Sequence, residues 1–181
     1  VNEIKIVILT GSNRIHASST RLCRYIEKEI ITQGHEVLFF DLYQKPIPFY
    51  SPDSSIDTDA NLLEMKASML EAQAVILGTP DYHGSISGVL KNALDHLDFD
   101  HFDSKVVLAI SSAGGAVGTS SLLQLQAMIR NVHGINCPEW ISIGSDQRSF
   151  NGSGEPDSPK VRQRVAKVLT YFLGLAEKLS I

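Results

Sequence analysis

Between Thr10 and Leu22 the chain reads TGSNRIHASSTRL, placing Arg14 and the hydroxyls of Ser12, Ser18, Ser19 and Thr20 just after Gly11. An apolar run, Ile4 to Leu9, precedes this stretch, and an amphipathic segment follows it. A strand that passes into a helix through such a loop offers free N–H groups, a partial positive charge and a planar guanidinium fork. That is chemistry for an anion. The pattern G-x-x-x-x-G-K-[ST] is absent, which disfavours a nucleoside triphosphate with magnesium. The fingerprint G-x-G-x-x-G is also missing from this first turn, which disfavours a dinucleotide there. A single terminal phosphate fits better. The alternative is that Ser18 or Ser19 merely caps the helix.

Two further stretches carry unusual residues. GTPDYHGSISGVLKNALD runs from Gly78 to Asp95. In it Pro80 and Gly84 shape a turn, the backbone from Asp81 to Ser85 faces a crevice, and Tyr82 supplies an aromatic wall. Ser85 or Ser87 caps the following helix. A proline turn before a capped helix needs no ligand by itself. SSAGGAVGT runs from Ser111 to Thr119, and its glycines let backbone approach a flat molecule closely. Its plain alternative is a flexible loop.

These stretches need a scaffold that brings them together. The β-rich runs are Ile4–Leu9, Glu36–Leu42, Ala74–Gly78, Lys105–Ser111 and Ile135–Ile143. Three of them are nearly continuous apolar runs, as expected of strands buried on both faces of a parallel sheet. Helical periodicity falls between them, over Ser19–Thr32, Asp59–Ala72, Ile86–Leu97, Thr119–His133 and Ser158–Leu179. Gly34 stops the first helix, Asp59 is a candidate N-cap for the second, and Pro159 opens the last. The third turns Val89, Leu90, Ala93, Leu94 and Leu97 inward. Five strands alternating with five helices predict a doubly wound α/β sandwich, read as one domain over residues 1–181. In a sheet ordered 2-1-3-4-5, strands one and three flank the switch point, where ligands bind outside the strand carboxyl ends. The three chemical loops leave strands one, three and four at that edge. A phosphate site beside two backbone-rich loops and an aromatic suits flavin mononucleotide.

Composition narrows the classes. The 181 residues are 43% hydrophobic and 20% charged with net charge −4, a balance that argues against a nucleic-acid partner. No apolar run approaches the roughly 20 residues of a membrane span. No signal-peptide pattern is visible, so a cytoplasmic protein is expected. Cys23 and Cys137 read as buried free thiols, consistent with a reducing compartment. The six histidines show no metal-ligand spacing, and no metal is expected. His35 reads as a turn residue and His133 as a helix C-terminal one. The cluster HLDFDHFD, His96 to Asp103, reads as a solvated helix end, with a subunit contact as the alternative. The three-proline connection Tyr43–Thr58 is expected to expose Ile47, Phe49 and Tyr50. The polar stretch Asp146–Asp157 is expected to be mobile.

GSNR with its following hydroxyls, PIPFYSPD at Pro46–Asp53, TPDYHGSISGVLKNALDHL at Thr79–Leu97 and SAGGAVG at Ser112–Gly118 resemble the NAD(P)H-dependent FMN reductase family, from the first strand to about Ile143. Asp81 stands where that family usually has Glu, and His83 where it usually has Asn. With His83 the motif is most similar to azobenzene reductases. Both replacements keep hydrogen-bonding capacity. The resemblance implies a flavodoxin-like fold, bound FMN, NADPH or NADH as co-substrate, and reduction of flavins, quinones, azo dyes or chromate. It implies a homodimer or homotetramer with the flavins near the interface. It assigns the phosphate to Ser12, Arg14, Ser19 and Thr20. The spacing after Arg14 is longer than in many members, and the choice among Ser18, Ser19 and Thr20 stays open. Pro80, Asp81, Tyr82, His83, Gly84 and Ser85 would line the ring and ribityl chain. Ser112, Ala113, Gly114 and Gly115 would reach the other side of the ring. No side chain is expected to serve as nucleophile or base, since the flavin carries the hydride chemistry. A flavodoxin-type electron carrier or a non-enzymatic FMN-binding module is the alternative.

Overall fold

Ile6 and Ile8 face one side of the first strand and Val7 and Leu9 the other, and all four are essentially inaccessible to solvent. That double burial recurs in each central strand and fixes the architecture. The computed structural model describes residues 3–54 and 58–180. In chain order it contains β1 (Lys5–Thr10), α1 (Ser18–Thr32), β2 (Glu36–Asp41), α2 (Ala60–Glu71), β3 (Ala74–Pro80), α3 (Gly88–Asp95) and α4 (Phe99–Phe102). Then follow β4 (Val106–Ala113), α5 (Thr119–Asn131), β5 (Ile135–Asn136), β6 (Ile141–Gly144) and α6 (Pro159–Leu179).

All strand pairings are parallel, and the order is β2-β1-β3-β4-β5, with β6 also on β4. Helices α1 and α6 cover one face through Leu22, Ile26, Val165 and Phe172. Helices α2, α3 and α5 cover the other through Met65, Leu90, Ala93 and Leu125. The expected doubly wound sheet is therefore present, in the expected order.

The fifth strand is in two pieces. Cys137 still donates its N–H to Val107 O at 2.9 Å, but Pro138 has none to give. Cys137 to Trp140 stand opposite only Leu108 and Ala109, so the chain bulges before β6 resumes the pairing at Ile141. The helix ends follow their chemistry. Asp59 accepts from Leu62 N at 2.8 Å, and Ser158 caps the helix that Pro159 opens.

Four expectations change. Ile47 packs partly buried against the α2/α3 core, while Phe49 and Tyr50 are exposed. Residues 55–57 of that connection lie outside the described residues. His96 and His101 are buried, at 7% and 6% exposure, so of the polar residues in their cluster only the aspartates Asp98, Asp100 and Asp103 are solvated. His101 Nδ1 bonds Asp98 in a capping box that starts α4. His35 is buried before β2, and its Nδ1 accepts from Ile4 N at 3.4 Å. The Asp146–Asp157 stretch is internally tied: Asn151 Oδ1 accepts from Ser153 N, Ser153 Oγ and Glu155 N, and Lys28 Nζ donates to Ser153 O.

Candidate functional site

Helix α1 begins at Ser18, its N-cap is Ala17, and no side chain caps it. By contrast Asp59, Ser87 and Ser158 cap α2, α3 and α6. The capping alternative for Ser18 and Ser19 therefore falls. The first-turn N–H groups of α1 remain available, which is the condition for binding an anion. The hydroxyls around them differ in role. Ser12 Oγ accepts from Arg14 N at 3.2 Å and shapes the loop. Ser18 Oγ meets Ser112 Oγ at 2.8 Å, and Ser19 is buried. Thr10 Oγ1 and Thr20 Oγ1 are buried without a partner. A buried unpaired hydroxyl costs about 1–3 kcal/mol. Two of them, at the end of β1 and in the first turn of α1, suit a site completed by a ligand rich in acceptors, such as a phosphate ester. Arg14 is exposed, its backbone fixed through Ser12.

The second loop is a tight hairpin. Tyr82 and Ser85 exchange N–H···O bonds of 3.0 and 3.1 Å across His83 (φ 57) and Gly84 (φ 74). Two successive positive φ values define the primed turn that favours Asn-Gly, so His83 occupies a left-handed position at some cost. Asp81 Oδ1 accepts from Gly84 N at 3.1 Å, and Asp81 N donates to Ser112 O at 2.8 Å. Pro80 is buried at the end of β3, whereas Tyr82, His83 and Gly84 are exposed. Ser85 Oγ donates to Gln124 Oε1 at 2.7 Å, so Ser85 is not the cap. Ser87 is: its Oγ accepts from Leu90 N and donates to Gly11 O, joining α3 to the first loop.

The third loop is pinned at its ends and open in its middle. Ser142 Oγ accepts from Gly118 N at 2.7 Å, and Ser111 Oγ donates to Gly118 O at 3.0 Å. A Cβ on Gly144 would strike the carbonyls of Gly115 and Ala116. A Cβ on Gly114 or Gly115 would meet nothing within 4 Å. Ser112 and Ala113 are buried, and Gly114 and Gly115 are exposed.

The three loops share one edge because the strands are in register, with Thr10 beside Gly78 and Pro80 beside Ser112. Gly11 N donates to Gly78 O at 2.8 Å across the switch point. Every site residue expected from the sequence thus lies on this edge. Ser142 and Gln124 were not legible, as nothing in their local sequence marks a loop clamp. The contacts of Asn92 and His96 with the Pro-rich loop were likewise not legible. Asn92 Nδ2 and His96 Nε2 reach Pro48 O at 3.0 and 2.9 Å, and Asn92 Oδ1 accepts from Tyr50 N at 2.9 Å. They fasten the Pro-rich loop to α3.

Beside the first two loops lies a cavity of about 390 Å³ walled by Ile47, Phe49, Tyr82 and Val89. A larger one, about 510 Å³ between α3 and α5, holds none of the expected flavin residues. Burial pushes the Cys23 thiol up to about 12 and raises that of Cys137, so neither is a ready nucleophile. Among the described residues no group of three or more His, Cys, Asp or Glu could hold a metal ion. No helix there is long and apolar enough to cross a membrane.

A model of the NADPH-dependent FMN reductase family matches residues 4–148. The chain belongs to that family. It is similar to an FMN-dependent NADPH-azoreductase of Staphylococcus aureus (strain USA300), at 37% identity over 155 residues, covering 83% of this chain and 82% of that protein. Among solved structures it is similar in fold to FerB, a flavoenzyme NAD(P)H:(acceptor) oxidoreductase from Paracoccus denitrificans. There the TM-score is 0.83 at 20% identity, covering 98% and 100% of the two chains. A flavodoxin from the domain Archaea superposes with a TM-score of 0.64 at 14% identity, covering 98% and 100%. The fold is flavodoxin-like. As a member of this family the chain is an oxidoreductase whose cofactors are FMN and NAD(P)H.

Proposed function

We propose that this enzyme reduces planar aromatic acceptors, azo dyes foremost, with FMN seated across the three loops at the carboxyl edge of the sheet. The uncapped N-terminus of α1, flanked by the unpartnered hydroxyls of Thr10 and Thr20, carries this reading. The first-turn N–H groups, Ser12, Ser18, Thr20 and Arg14 hold the phosphate, and Ser19 supports the helix from below. The backbone of Pro80–Ser85 lines one edge of the ring. Ser112–Gly115 lie against it, and the missing side chains of Gly114 and Gly115 allow that approach. When bound, the flavin supplies the two-electron hydride chemistry. The protein's own part is to bind, orient and leave one face open. Phe49, Tyr82 and Val89 wall the adjoining cavity, where a flat acceptor rests. The azoreductase name of the 37% identical relative supports the acceptor class.

We place the enzyme in the cytoplasm, in keeping with two buried free thiols, and assign it a homodimeric state. The dimer rests on the exposed Phe49 and Tyr50 near Tyr82. In it, this patch of one subunit partly roofs the partner's flavin.

The test is direct. Purified protein should be yellow and should oxidise NADPH only when an azo acceptor or another oxidant is present. Arg14→Ala should weaken FMN binding by about 1.5–3 kcal/mol, the scale of a charge-assisted hydrogen bond. Colourless protein that takes up no FMN on titration, or unchanged FMN affinity in the variant, would contradict the assignment.

A further inference from the structure

A second crevice opens beside the first loop, on its β2 side. It has a volume of about 380 Å³ and is lined by Arg14, Arg21, Arg24 and Lys28. One carboxylate, Asp41, also lines it, and its Oδ1 already accepts from Tyr43 N at 3.0 Å. The chain as a whole has 16 Lys and Arg against 20 Asp and Glu. Four cations facing one carboxylate in a single crevice run against that average.

Among the described residues, only Arg24 of these four cations has a carboxylate partner. Arg24 pairs with Glu27 at 2.9 Å and lies over the Phe39 ring. Arg21 reaches only a carbonyl, Phe150 O, at 3.5 Å, and stacks on the Phe150 ring. Lys28 donates to Ser153 O at 2.8 Å. Among the described residues, no carboxylate pairs with Arg21 or Lys28, the two cations of the crevice that the FMN phosphate does not claim and Glu27 does not pair. Their donors point to an anion from outside, and Arg forks are suited to phosphate oxygens. Tyr43, an exposed aromatic, lines the same crevice.

We infer that this crevice binds the 2′-phosphate and adenosine end of NADPH, and so sets a preference for NADPH over NADH. The inference rests on the NAD(P)H oxidoreductase reading. Arg14, Ile15, His16 and Ala17 belong both to the anion loop and to the lip of the crevice, so the two sites are continuous. Strand order puts β2 two spacings, about 10 Å, from β3. A dinucleotide whose nicotinamide reaches the β3 and β4 loops can extend its other half across β1 towards β2. There the stem of α1 presents Arg21, Arg24 and Lys28 along one side, and Tyr43 offers a face for adenine. The extra phosphate of NADPH is the one group that NADH lacks, and it carries the charge these residues await.

The experiment uses the FMN-loaded protein. Calorimetry should show adenosine 2′,5′-bisphosphate binding at least about tenfold tighter than adenosine 5′-monophosphate, with the difference shrinking as salt rises. In Arg21→Gln and Lys28→Gln, the KM for NADPH should rise about tenfold or more, while that for NADH moves much less. Flavin content should stay that of the unaltered protein. Equal binding of the two nucleotides, or equal shifts in both KM values, overturns the inference. Loss of flavin in these variants with nucleotide preference intact also overturns it, because the cations would then serve the FMN phosphate. A protein that never takes up FMN refutes the parent reading instead. A yellow, active enzyme indifferent to the 2′-phosphate refutes only this one.

Discussion

Ser18 and Ser112, 94 residues apart, join their hydroxyls at 2.8 Å and so tie the first residue of α1 to the end of β4. This bond sets the spacing between the anion loop and the glycine loop, the two walls of the flavin site proposed above. Ser112→Ala and Ser18→Ala should each cost about 1 kcal/mol of stability, the usual worth of one hydrogen bond. The double variant should cost little more than either alone, because both changes remove the same contact. Urea unfolding of the four flavin-free proteins checks this. Strictly additive losses would mean that the pair does not act as a unit.

Two glycines at this edge should respond in opposite ways. A Cβ on Gly11 would collide with the Cβ of Leu90, a fully buried residue of α3. Gly11→Ala therefore forces α3 off the sheet and should destabilise the fold by about 1–3 kcal/mol, as overpacking does. Gly115 has open space around it, so Gly115→Val should fold normally yet exclude flavin. Thermal unfolding and the flavin content of the purified variants separate the two effects. A Gly115→Val protein with full flavin would remove the third loop from the site.

The architecture was legible because burial is written into the strands: a run such as VVLAIS, apolar at successive positions, has no reading as a half-exposed element. The three loops were legible because glycine, proline and hydroxyl clusters mark the carboxyl ends of those strands. Partner choice was not. Ser87, rather than Ser85, caps α3 because Gly11 O stands within reach of its hydroxyl, a contact across 76 residues. His96 and His101 sit in a run of aspartates that reads as solvated. Their burial depends on Pro48 and on the turn into α4, which are tertiary facts. Pro138 could have announced the break in the fifth strand, since an edge strand is where proline is tolerated.

Phe49 is 89% exposed, yet its neighbours on both sides are held to α3 through Asn92 and His96. A large aromatic presented this rigidly loses little entropy on forming a contact. Light scattering at micromolar concentration should give twice the 19.8 kDa of one chain. Phe49→Asp should shift the mass towards one chain, since an unpaired carboxylate would then be buried at the interface. A monomeric, fully active starting protein would sink the proposed pairing.

Cys23 makes stability depend on alkaline pH. Its side chain is wholly buried beneath Gly78, and burial raises its pKa from 9.0 to about 12. In the unfolded chain the thiol ionises above pH 9, while in the folded chain it stays protonated. The folded state thus binds more protons in that window, and stability falls as pH rises. The contribution is fully present below pH 9 and is lost at about 1.4 kcal/mol per unit towards pH 12. Tyr25, also raised by burial, acts in the same direction, and Lys105, lowered by burial, acts in the opposite one. Comparing the pH slope of unfolding free energy between the unaltered protein and Cys23→Ala isolates the thiol. The variant should be less stable at pH 8 because of the lost packing, but should decline less steeply from pH 9 to 11. Identical slopes would show that the folded thiol ionises as freely as the unfolded one.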